Sequence, residues 1–161
     1  MKRCFCILLM LTLLLLSACT PPVEKRIAAY AEQEILITGL KETDFSVTIS
    51  ELSKLPLTTL SATGATQKAG TVCVTGVTME DFLAYYGVLP EAVQKVRFWC
   101  KDGYKVFLKQ KTLTEYDILL GIAEQDGPLE EKRQPLRVLI PGEDSGKWAY
   151  AVIQIDFVLE E

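Results

Sequence analysis

Histidine is absent from the 161 residues. Its absence excludes Ser-His-Asp and Cys-His nucleophilic relays. It also excludes zinc, haem or non-haem iron held by imidazole. Any acid–base work must come from carboxylates, lysine or tyrosine. No GxGxxG or Walker sequence is present, so a phosphate-cradling nucleotide loop has no support. No run of Lys and Arg forms a basic stripe, which argues against nucleic acid as a partner. The apolar run Cys4 to Leu16 is well short of the ~20 residues that a membrane-spanning helix needs. Cysteine is scarce, with five in all.

What is present at the N-terminus is a leader. Met1-Lys2-Arg3 is a short basic start, and a leucine-dominated core follows it. Small residues then precede a cysteine, the order of a secretory signal. Leu16-Ser17-Ala18-Cys19 resembles the lipobox of bacterial lipoproteins. That resemblance implies cleavage after residue 18 and diacylglyceryl on the Cys19 sulfur. Two acyl chains, at ~0.8 kcal/mol per buried CH₂, anchor a protein stably. The expectation is an extracytoplasmic chain held to the cell membrane by lipid on Cys19.

The leader would remove Cys4, Cys6, Lys2 and Arg3. The remainder carries 15 basic and 21 acidic residues, a net charge of −6. It is one domain's worth of chain and long enough for a hydrophobic core. Residues 19–34 read as a lipidated tether. Pro21-Pro22 forbids regular structure there, and 23–34 reads as a spacer or short surface helix. An oxidising compartment permits a disulfide between Cys73 and Cys100. Alternation points instead to two separate cysteines. Cys100 shares the apolar side of 96–100, whereas Cys73 falls on the threonine side of 71–75. Both readings stand.

From Ile35 to the C-terminus short strands outnumber helices. Phe45-Ser46-Val47-Thr48-Ile49 alternates with period two. Ser50 is placed to cap a helix through Leu55, stopped by Pro56. Residues 58–63, 71–75, 93–100, 105–108, 137–140 and 147–158 read as strands. Thr78 and Asp81 imitate a capping box, and Met79, Phe82, Leu83 and Tyr86 share one helical face ending at Gly87. The expected class is α+β, with a mixed, partly barrel-like sheet and short helices.

Several segments, in order, resemble the molybdopterin-binding domain of the sulfite oxidase family. They are Ile37-Thr38-Gly39, the 50–55 helix before Pro56, and Thr75-Gly76-Val77 leading into 79–83. Asp102-Gly103-Tyr104, Asp126-Gly127-Pro128-Leu129, Pro135-Leu136-Arg137-Val138, Pro141-Gly142 and Lys147-Trp148 follow. The likeness covers about residues 35 to 158, within a domain of 35–161. It implies a pterin-bound molybdenum gripped by one cysteine thiolate, a soft anionic donor. In the family that cysteine lies in a Thr-Leu-X-Cys-X-Gly segment. Here the matching stretch is Thr59-Leu60-Ser61-Ala62-Thr63-Gly64, with Ala62 in the cysteine's place. Cys73, eleven positions on, is the alternative donor. Arg137, Lys147 and Tyr104 fall on family positions.

The expectation is therefore a domain with no catalytic residue and no metal ligand. Its candidate ligand pocket comprises Ala62, Gly64, Tyr104, Arg137 and Lys147. Molybdopterin is the cofactor that the resemblance implies, and the missing cysteine predicts none. The expected role is an accessory lipoprotein binding a small anionic ligand or an envelope protein. The alternatives are a molybdopterin-dependent oxidoreductase of the envelope and a structural interaction module.

Overall fold

The computed structural model describes residues 20–64 and 70–160. The leader and Cys19 lie outside the described residues. Among the described residues nine strands form two sheets. They are β1 (Glu34–Thr38), β2 (Phe45–Thr48), β3 (Thr58–Thr63), β4 (Thr71–Thr78), β5 (Val93–Cys100), β6 (Lys105–Lys109), β7 (Leu119–Glu124), β8 (Arg137–Leu139) and β9 (Val152–Leu159). One sheet runs β2-β1-β9-β5-β6 and the other β3-β4-β7-β8. Among the described residues only β1 and β9 pair in parallel. The expected α+β class with mixed strand pairing and short helices holds, and the barrel-like curvature does not amount to a closed barrel. Both sheets stay open, with edges at β2, β6, β3 and β8.

Strand alternation builds the core. β5 turns Val96, Phe98 and Cys100 inward, and β9 turns Ile155 and Phe157 inward, against Ile35 and Ile37 of β1. β7 is buried on both faces from Leu119 to Ala123. That explains why its sequence is a continuous apolar run rather than an alternating one. Gly76 and Gly121 let β4 and β7 approach. A Cβ on Gly76 would stand 2.1 Å from the Leu120 carbonyl oxygen.

The helices are short: α1 (Val23–Ile27), α2 (Ile49–Leu52), α3 (Met79–Tyr85) and α4 (Gln110–Glu115). Thr78 caps α3 as expected, its Oγ1 accepting from the Asp81 N–H at 3.0 Å. The helix expected from Ser50 to Leu55 instead starts at Ile49. Thr48 and Glu51 cap each other's backbone in a full capping box. The tether expected over 19–34 is corrected from Val23 onward. Val23, Ile27 and Tyr30 are core residues, spaced four and three apart along one side. The Tyr30 hydroxyl donates to the Ile122 carbonyl at 2.7 Å and accepts from the Leu129 N–H. Those bonds tie the N-terminal segment to β7.

Candidate functional site

The β3 pattern decides what Ala62 can do. Ala62 is buried, while its neighbours Ser61 and Thr63 are exposed on the opposite face. Across the ladder Ser61 pairs with Cys73, and the Ser61 hydroxyl donates to Cys73 Sγ at 3.3 Å. Cys73 therefore lies on the face away from Ala62 and cannot stand in for a ligand there. Cys100 belongs to the other sheet, where burial pushes its thiol up and keeps it protonated. Both cysteines are free. Gly64 ends β3 and donates its N–H to the Gly70 carbonyl. Among the described residues no three His, Cys, Asp or Glu side chains gather as a metal-binding group. The side chains at this position do not fit a thiolate-held metal.

They do gather cations nearby. Leu60, Val74 and Glu124 lie level across β3, β4 and β7. Glu124 thus stands two strands over and two residues along from Ala62, about 12 Å by strand geometry. Arg137 on β8 is 1% exposed, and its Nη1 meets Glu124 Oε1 at 3.1 Å. Arg133 reaches the same oxygen at 3.6 Å and Glu130 at 3.3 Å. Arg26 of α1 donates to the Glu124 and Gln125 carbonyls and to Thr75 Oγ1. Two guanidinium groups, of Arg133 and Arg137, therefore meet one half-buried carboxylate, while Arg26 ties the backbone behind it. Both Arg133 and Arg137 lie over the Tyr150 ring, at 5.4 and 5.0 Å. Arg137 Nε has no hydrogen-bond partner among the described residues.

The five candidate pocket residues divide. Ala62 and Gly64 sit at the β3 edge, and Arg137 starts from the opposite edge and reaches inward. Arg137 pairs with Glu124. Tyr104 and Lys147 share a third place. The Tyr104 hydroxyl donates to the Gly146 carbonyl at 3.1 Å, beside Lys147. Lys147 Nζ meets Glu143 at 2.7 Å. That bond holds the Lys147 ammonium above its usual range and the Glu143 carboxyl below. Trp148 links the two groups, because its buried ring lies 5.8 Å from the Arg137 guanidinium. Sequence reasoning missed Arg26, Glu124, Arg133 and Tyr150. Only the core spacing of Val23, Ile27 and Tyr30 could have flagged Arg26.

Residues 22–161 match a family model described as an oxidoreductase molybdopterin binding domain. Among solved structures, the sulfane dehydrogenase SoxCD from Paracoccus pantotrophus is similar, with a TM-score of 0.65 at 20% identity. The likeness covers 80% of this chain and 38% of that one, and it shows the fold alone. No curated protein matches the chain.

Proposed function

The chain belongs to the oxidoreductase molybdopterin-binding domain family, and from that premise we propose that it is a metal-free, anion-binding member anchored outside the cytoplasm by lipid on Cys19. The observation that carries this reading is the buried methyl of Ala62, with Cys73 on the far side of the same sheet. Molybdenum needs a thiolate at that place, and a methyl group offers no lone pair. The guanidinium cluster supports the anion-binding half. Arg137 keeps an unpartnered Nε among the described residues, and the guanidinium forks of Arg133 and Arg137 suit phosphate or carboxylate oxygens. The ligand is a small oxyanion or an anionic group on a partner. The chain supplies recognition and no redox centre of its own.

Titration of the full-length protein in detergent micelles with inorganic phosphate tests the anion-binding half. Arg137→Met should weaken phosphate binding by about 1.5–3 kcal/mol, the worth of a hydrogen bond to a charged group. Equal binding by wild type and variant would sink the reading. For the anchor, Cys19→Ser should move the chain from the membrane fraction to the soluble fraction. Unchanged membrane retention would remove the lipid from the account.

A second reading is a molybdopterin-dependent oxidoreductase of the envelope, and the family match itself favours it. It requires a metal ligand from outside the Ala62 segment.

A further inference from the structure

The outer face of the five-stranded sheet gathers charges that are scattered in the sequence. Lys95, Arg97 and Trp99 point outward from β5, and Lys105, Phe107 and Lys109 from β6. Register sets them side by side: Lys95 opposite Lys109, Arg97 opposite Phe107, and Trp99 opposite Lys105. The next strand adds Val158, Asp156 and Gln154 in the same rows. On these three strands four cations face the single carboxylate of Asp156. Lys111 borders the patch on one side, and Asp44 and Glu160 lie at its margins. Among the described residues no carboxylate lies within salt-bridge range of Lys95, Lys105 or Lys109. The chain as a whole is acidic, so this face opposes its net charge.

Folding does not explain the pattern. Lys95 and Lys109 form a direct cross-strand pair of like charge, which costs stability. Leu36, Phe107, Ile153 and Val158 are exposed on the strands of the same sheet. We propose that this face docks an acidic segment of a partner protein, and the assignment does not depend on the anion site at Arg137.

Charge and ring geometry choose that occupant. Lys105 Nζ lies 3.8 Å from the Trp99 ring and Arg97 5.6 Å from it. Lys95 and Arg97 lie 4.9 and 5.0 Å from the Phe107 ring. The rings are thus covered by the chain's own cations, which disfavours base stacking by single-stranded nucleic acid. Trp99 also donates its indole N–H to Asp156, which Thr38 and Gln154 hold in turn. A pinned indole is poorly suited to inserting among lipid headgroups. What remains is a flat, preorganised lattice of ammonium groups, suited to carboxylates presented by another protein.

The test uses the full-length chain in micelles, with poly-L-glutamate as the probe and Trp99 fluorescence as the local reporter. Trp148 is buried and serves as the steady background. Binding should weaken about ten-fold or more in Lys105→Glu/Lys109→Glu, and comparably on raising salt. Lys54→Glu, off this face, should leave it within about two-fold. Lys109→Gln should bind several-fold more weakly with no loss of Tm, because it relieves the Lys95 repulsion. Affinity unchanged by these variants would overturn the proposal. So would tighter binding, through the same lysines, of an oligo-dT strand or of anionic phospholipid vesicles.

Discussion

Glu124 and Arg137 form an unequal pair, and substituting each in turn measures what the arginine is for. Arg137 is 1% exposed, whereas the Glu124 side chain is 27% exposed. Replacing Arg137 by methionine keeps most of the buried stem. It leaves Glu124 with Arg133 at 3.6 Å and with access to water. The large cost of breaking an ion pair falls on a partner left buried without a counter-charge, and Glu124 keeps both Arg133 and water, so Arg137→Met should change stability by about 1 kcal/mol or less. For a domain of this size that shifts Tm by about 4 °C at most. Glu124→Ala is the severe change. It leaves the Arg137 guanidinium buried without a counter-charge, at about 3–5 kcal/mol, or on the order of 10–15 °C in Tm. Scanning calorimetry at neutral pH on both variants gives the comparison. Equal losses, or a larger loss for Arg137→Met, would make Arg137 a structural tie and refute its assignment to ligand binding.

Gly76→Ala should destabilise the chain by about 3 kcal/mol, at the upper end of overpacking costs, because the new methyl meets the Leu120 carbonyl and the Gly121 Cα at under 3 Å. A denaturant midpoint within error of wild type would contradict that. Asp156 predicts an acid limit. Burial alone would push its carboxyl up, but hydrogen bonds from Trp99, Thr38 and Gln154, with the Arg97 charge, hold it below its ordinary value. The unfolded chain therefore takes up this proton first as pH falls. The stabilisation is complete above about pH 5 and is lost as pH drops through the lowered folded value. Thermal melts between about pH 5 and pH 2 should show a shallower decline for Asp156→Asn than for wild type, and parallel curves would exclude the mechanism.

Much of the architecture was legible because its signals are local. Period-two alternation located β2 and β5, and Thr78 with Asp81 located the start of α3. The buried run at β7 was harder, because an apolar stretch without alternation does not declare its type. The 19–34 segment is harder to read, because Pro21-Pro22 argues against regular structure while Val23, Ile27 and Tyr30 find a core that only the folded sheet supplies. At the site, Ala62 was legible through a segment match. Glu124, Arg133 and Arg26 were not, because their meeting depends on three separate elements. The cationic sheet face escaped for the same reason: alternate lysines on β5 and β6 look dispersed until register aligns them.

Molybdenum content decides whether a methyl group at Ala62 leaves the domain metal-free, as proposed. The full-length protein should be produced in a host that makes the molybdenum cofactor, purified and assayed for molybdenum per chain. The expected content is far below one atom per chain. One molybdenum per wild-type chain, with Ala62 in place, would contradict it.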